Sequence, residues 1–300
     1  MELEKKYIDL VMKKFPGISF TDTTLITKGW DNDVLLLDNA YVFRFPKRKN
    51  SKDRFSAEVK LLEHLQSDSP LPIPKYEHLS VEPPFGGYKI IKGQEMLPEL
   101  FAELNENAQD AIAKQLSDFL SFLHSTSIEV AEEVGFQEEP GGYWWSKERT
   151  AERYEALKEL VFPNLTQEEA SWARHQFETY LEFDFNFKLT VTHSDMKMDH
   201  IFFDSNRDKI TGIIDFAEVE IGDPALDFTG LWDYGEDFVT KVLKQYRGIY
   251  NDDFLKRSKF PRLVRNLGNM LKISEGRTLP VSYDDCYKRQ RNIIALGMNL

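Results

Sequence analysis

Nine consecutive residues, Thr192-His193-Ser194-Asp195-Met196-Lys197-Met198-Asp199-His200, form the densest polar cluster in the chain. Apolar, β-type runs flank them at 189–193 and 200–204, so the cluster reads as a loop anchored at both ends. Loops held by rigid elements are where reactive groups tend to be presented. A further carboxylate follows in Ile213-Ile214-Asp215-Phe216, where the run 209–215 ends. One carboxylate can orient a hydroxyl and take its proton as the oxygen attacks. A second can hold a hard cation such as Mg²⁺, which prefers oxygen ligands. Together they suit phosphoryl transfer, where positioning and charge neutralisation do most of the catalysis. The same residues admit a hydrolytic reading, with His193, Asp195, His200 and Asp215 around a metal that activates water. Zinc fits less well, because no third nitrogen or sulfur ligand accompanies the two histidines.

Two charges farther back point to a partnership. Glu58 falls on the apolar stripe that Phe55, Val59 and Leu62 draw along a helix over 51–66. A carboxylate facing a core is costly unless paired. Arg44, the only charge inside Tyr41-Val42-Phe43-Arg44-Phe45, meets the same difficulty. Each solves the other's desolvation, and the pair would tie helix to sheet.

The elements that must position these groups divide unequally. Residues 31–37 and 41–45 read as strands joined at Asp38-Asn39, a hairpin with Gly29 at its mouth. Prolines 70, 72 and 74 stop the following helix. A strand pattern at Tyr88-Lys89-Ile90-Ile91 then runs to Gly93. Beyond it, helical periodicity dominates at 106–124, after the capping-box match Thr166-x-x-Glu169, and at 236–247 and 252–272. The expected division is a lobe over 1–92 and a larger lobe over 93–300. This is an α+β organisation: a small antiparallel-sheet lobe with one helix, and a mainly helical lobe with a β insert.

Several residues carry two readings. His193 either braces its loop through backbone carbonyls or takes part directly. Asp227 either caps or orients the loop or touches substrate. Asp233, Glu236 and Asp237 either complement a helix dipole or cradle a polyamine. Tyr143-Trp144-Trp145 either packs or offers a stacking platform.

The formal charge is −12, from 38 Lys and Arg against 50 Asp and Glu. That balance argues against nucleic-acid and anionic-membrane partners and suits a cationic one. The one cysteine, Cys286, makes no internal disulfide. With no targeting segment and no membrane-length apolar run, the reading is a cytoplasmic protein, expected as a monomer.

The order Gly29, Arg44, Glu58, His193-Ser194-Asp195 through His200, Ile214-Asp215-Phe216 and Gly222-Asp223-Pro224-x-x-Asp227 resembles the aminoglycoside phosphotransferase family. The segments GWDNDVLLL, FRFPKR and HSDMKMDHIFFD look closest to its 2″-phosphotransferase branch. The resemblance implies a two-lobed, protein-kinase-like fold and ATP or GTP as phosphate donor, with Mg²⁺. It implies Asp195 as the catalytic aspartate. His200 falls where most kinase-like enzymes have a metal-binding Asn and the 2″ branch has His, and Asp215 matches the metal-binding aspartate. Arg44 stands for the usual Lys on the α- and β-phosphates, positioned by Glu58. Lys89 to Ile91 match the strand whose backbone holds the purine edge, and Gly29 is what remains of the glycine-rich loop. The implied acceptor is a small hydroxylated cation, an aminoglycoside first. Besides the hydrolase, a kinase-like binding module without activity is the other alternative.

Overall fold

The structure, a computed structural model, describes residues 2–29, 31–47, 49–136 and 142–300, with backbone alone at 49–52. Trp30 of the GWDND segment and Arg48 of FRFPKR lie outside the described residues.

Strands β1 (Thr23–Ile26), β2 (Asn32–Leu37), β3 (Tyr41–Pro46), β4 (Tyr76–Ser80) and β5 (Phe85–Lys89) form one antiparallel sheet in the order β1-β2-β3-β5-β4. The β2–β3 hairpin turns through Asp38 and Asn39, both left-handed at φ 52° and 50°, a conformation these two residue types tolerate better than most. The period-two pleat sends Phe43 and Phe45 to one face of the sheet, where they pack with Leu35, Leu37 and Phe85. That face is covered by helix α1 (Glu2–Lys14), whose Val11 is buried and whose Tyr7 stacks on Phe45 at 4.0 Å. The expectation of a single helix in this lobe is therefore corrected to two. Helix α2 (Lys49–Leu65) packs against the opposite face. It buries Phe55, Ala57, Leu61, Leu62 and Leu65 with Glu58 among them, while Val59 is only half-buried. Strand β5 ends at Lys89, earlier than the expected Ile91, and the Ile90 N–H donates to the Ala40 carbonyl at 2.8 Å.

After Gly93 the short strand β6 (Gln94–Glu95) leads into α3 (Pro98–Ala102), α4 (Glu106–Ser125), α5 (Ile128–Val134), α6 (Lys147–Leu160) and α7 (Gln167–Leu181). The capping box at Thr166 and Glu169 forms as expected and opens α7. Strand β7 (Thr190–Thr192) pairs with β10 (Glu220–Gly222), and β8 (Ile201–Asp204) lies between β6 and β9 (Lys209–Ile213). Helices α8 (Glu236–Gln245), α9 (Phe254–Ser274) and α10 (Tyr283–Ala295) complete the chain.

One apolar core joins Leu61, Leu62 and Leu65 of α2 to Leu116, Phe119, Leu120 and Leu123 of α4 and to the strands β7–β9. A second core sits among α6, α7, α9 and α10. The functional loops lie where β7, β8 and β9 end, so this first core fixes their roots against both lobes. No helix among the described residues is long and apolar enough to cross a membrane.

Candidate active site

The loop after β7 is held from beneath by Asp227. Its wholly buried carboxylate accepts the His193 N–H at 2.8 Å, the Ser194 N–H at 2.6 Å and His124 Nε2 at 2.9 Å. These bonds hold Ser194 in a left-handed conformation, φ 61°, that a β-substituted residue rarely adopts. The neighbouring Asp223 plays a different part. It is fully buried against Arg257, with Oδ2 2.6 Å from Nε, and anchors α9 beneath the same turn. Asp227 thus orients the loop, one of its two sequence readings.

His193 is a brace. Its ring is fully buried, Nε2 donates to the Ile214 carbonyl at 3.0 Å, and Nδ1 accepts the Asp195 N–H at 3.3 Å. Burial pushes its pKa down, so it stays neutral. Both nitrogens are occupied, and the four-residue metal centre of the hydrolytic reading loses one ligand. The two loops, after β7 and after β9, are stitched together through this ring.

What remains is a three-member donor set. Asp195, His200 and Asp215 each offer an atom, all within 4.8 Å of one another. His200 Nδ1 donates to the Asp195 carbonyl at 2.8 Å, which leaves Nε2 turned toward Asp215 Oδ2 at 3.4 Å. Asp215 itself is left-handed, φ 64° and ψ 68°, which turns its side chain out of the strand direction toward His200. Arg44 crosses from the other lobe to Asp215 Oδ1 at 3.0 Å. Burial opposes the charge on Asp215, but the Arg44 guanidinium beside it, with Lys197 farther off, holds its carboxyl below the usual range.

Arg44 and Glu58 form the ion pair that their burial requires, and Arg44 also donates to the Tyr76 hydroxyl at 3.1 Å. Gly86 stands opposite Arg44 on β5, and a side chain there would run into Tyr76, Leu79 and Phe55 at 2.8–3.0 Å. Burial works against the guanidinium charge, yet Glu58, Tyr76 and Asp215 raise its pKa well above the ordinary value. Arg44, Glu58, Asp195, His200 and Asp215 are therefore brought into one chain of contacts across the lobes. The other expected residues sit in contacts of their own. The Gly29 carbonyl takes Lys47 Nζ at 2.6 Å, Lys89 ends β5 and reaches Glu77 at 3.4 Å, and Ile91 packs against Gly212.

Asp195 opens onto a cavity of about 600 Å³ walled by the loop after β7, β10, α6 and α9. Lys197, not singled out by the sequence reading, places Nζ 2.9 Å from Asp195 Oδ2. The aromatic run divides between its two readings, since Tyr143 is buried while Trp144 is exposed on the cavity wall. Asp233 reaches the cavity but is paired with Arg262 at 2.9 Å, and Glu236 and Asp237 open α8. The backbone at Gly230 presses on the loop, where a side chain would come within 2.0 Å of the Met196 carbonyl.

A two-lobed fold that meets at a carboxylate–imidazole cluster defines a kinase-like phosphotransferase. The chain matches the phosphotransferase enzyme family over residues 22–260 and belongs to it. The GDP and kanamycin complex of APH(2″)-IIIa superposes with a TM-score of 0.86 at 25% identity, over 98% of this chain and 99% of that one. A macrolide 2′-phosphotransferase from Brachybacterium faecium superposes at 0.68 with 16% identity, over 91% and 94% of the two chains. An uncharacterized protein of Bacillus subtilis (strain 168), YcbJ, is 25% identical over 69% of this chain and 67% of its own length. The fold class and the 2″-branch resemblance are borne out. The protein is a small-molecule O-phosphotransferase.

Proposed function

We propose that the protein transfers the γ-phosphoryl group of ATP or GTP to a hydroxyl of a small molecule, with Mg²⁺. The observation that carries this reading is the convergence of Asp195, His200 and Asp215, with Asp195 lining the cavity. Asp195 faces that cavity, so a hydroxyl within it would meet a carboxylate able to orient it and accept its proton. Lys197 beside it would offset charge on the phosphoryl oxygens. The donor set of two carboxylates and an imidazole nitrogen fits a divalent cation held by Asp215 and His200. When bound, Mg²⁺ supplies neutralisation of the triphosphate's charge.

Arg44 is proposed to contact the non-transferred phosphates. Its planar fork suits phosphate oxygens, and Glu58 fixes its direction. The chain near Lys89 and Ile91 would present backbone groups to the purine edge, and the turn at Gly29 would lie over the phosphates. The phosphotransferase neighbours support the nucleotide, since one was solved with GDP and kanamycin.

The test is release of nucleoside diphosphate on adding candidate acceptors, alongside thermal shift with ATP and GTP. Both nucleotide effects are expected to need Mg²⁺ and to vanish with chelator. A folded preparation that no nucleotide stabilises would favour the binding-module alternative.

A further inference from the structure

The whole-chain charge of −12 says little about the cavity itself. Among the described residues, its wall carries the cations Arg54, Arg149, Lys197, Arg262, Arg265 and Lys272, against the carboxylates of Asp195, Glu218, Glu220 and Asp233. Lys197 pairs with Asp195 at 2.9 Å, Arg262 with Asp233 at 2.9 Å, and Arg54 with Glu218 at 3.9 Å, and Arg149 is not free either. Arg265 and Lys272 have no carboxylate at ion-pair distance among the described residues. They stand at i and i+7 on α9, two helical turns apart on one face, and both line the cavity.

Two cations lie against the aromatic rings of this wall. Lys272 Nζ lies 4.8 Å from the Trp144 ring centroid, and the Arg153 guanidinium lies 4.6 Å from the same ring and 4.4 Å from Trp145. Burial, then Arg153 and Arg277, push the Lys272 ammonium down, and burial pulls Arg153 to about 10. The acids on the facing wall are weaker than their number suggests. Burial raises Glu218 to about 7, so part of its charge is absent near neutrality, and burial raises Glu220 as well. A polycation in this cavity would be set against like charges, which costs affinity. Among the described residues, the cationic acceptor expected from composition has no matching field here.

We infer that the acceptor carries an anionic group, a carboxylate or a phosphate, which docks on Arg265 and Lys272 while its hydroxyl reaches Asp195. This rests on the phosphotransferase reading and names the acceptor class for that same site. The volume of about 600 Å³ suits a metabolite-sized ligand. Trp144 would back the anion's carbon frame, with Lys272 and Arg265 supplying the charge-assisted hydrogen bonds.

The experiment compares acceptors of similar hydroxylated frame and different charge: gluconate, glucose 6-phosphate, glucose and glucosamine, with kanamycin as a polycation. Diphosphate release is read with ATP and with GTP. The acidic members are expected to exceed the amines by about tenfold or more in kcat/KM. Whichever of gluconate and glucose 6-phosphate is preferred identifies the anion. In the double variant R265E/K272E the acid-to-amine ratio is expected to fall by at least about tenfold. That ratio is internal to one preparation, so partial misfolding cancels. A preference for amines in the native protein, or an unchanged ratio in the variant, overturns the inference.

Should none of these be phosphorylated, inorganic phosphate and citrate are titrated against tryptophan fluorescence at constant ionic strength. A saturable change lost in Trp144→Phe and in the double variant is expected. Its absence overturns the inference even where nucleotide and Mg²⁺ still stabilise the protein. Loss of that stabilisation as well would instead count against the phosphotransferase reading.

Discussion

Replacing Asp227 by Asn tests whether one buried carboxylate sets the geometry of the whole site. Asp227 Oδ1 accepts the Ser194 N–H at 2.6 Å, and Oδ2 accepts both the His193 N–H at 2.8 Å and His124 Nε2 at 2.9 Å. An Asn offers one oxygen and one NH₂. Whichever way it turns, at least one N–H faces a donor instead of an acceptor. Hydrogen bonds to a charged group contribute about 1.5–3 kcal/mol each, so losing one or two gives about 2–5 kcal/mol. The lost bonds also release Ser194 from its left-handed conformation, and Asp195 is the next residue along. A displacement of about 1 Å at a reacting group costs on the order of a hundredfold in rate. The assay pairs denaturant unfolding with diphosphate release. Expected is a stability loss of about 2–5 kcal/mol with kcat down roughly a hundredfold while the Asn variant remains folded. A stability change under about 1 kcal/mol together with near-native activity would refute the clamp.

Three further outcomes follow from the same geometry. Glu58→Ala leaves the fully buried Arg44 charge without its main partner and is expected to cost about 3–5 kcal/mol, measured by denaturant unfolding. Gly230→Ala forces a methyl against the Met196 carbonyl and is expected to lower diphosphate release by at least about tenfold, with a smaller effect on nucleotide-induced thermal shift. His193 is buried neutral with its pKa below the ordinary 6.5, so below that pH the unfolded chain binds a proton that the folded one does not. Its contribution is full above about pH 6.5 and is lost as pH falls toward the folded value, a decline that His193→Asn is expected to flatten in unfolding measured against pH.

The pair Arg44–Glu58 was legible because each charge lay in an apolar pattern and needed a partner. The cluster of Asp195, His200 and Asp215 was legible for a related reason: polar residues concentrated at the ends of apolar β runs have to be presented on loops. Helix α1 was not legible, since Val11 is its one fully buried residue and its charges blur the stripe. The prolines at 70, 72 and 74 directed attention to loop structure and hid β4, which begins at Tyr76 and pairs with β5. Val59 was assigned to the buried stripe of α2, but the helix meets the core through Leu61 and Leu65. The individual residues of the cavity wall were not legible, because α6 and α9 come together only through their shared core. A signal was present in Arg262, Arg265 and Lys272, which share one helical face, but total charge masked it. Composition averages over a surface, whereas a ligand meets only the local field.

In the proposed reaction the Asp195 carboxylate acts on the acceptor hydroxyl beside a nucleotide held by Asp215, His200 and Arg44. Its most direct test is Asp195→Asn, comparing the rate of phosphoryl transfer to the acceptor with the thermal shift produced by nucleotide and Mg²⁺. Transfer is expected to fall by about 10²–10⁴ while the shift is retained. A fall of less than about tenfold in a folded, nucleotide-binding protein would contradict the account.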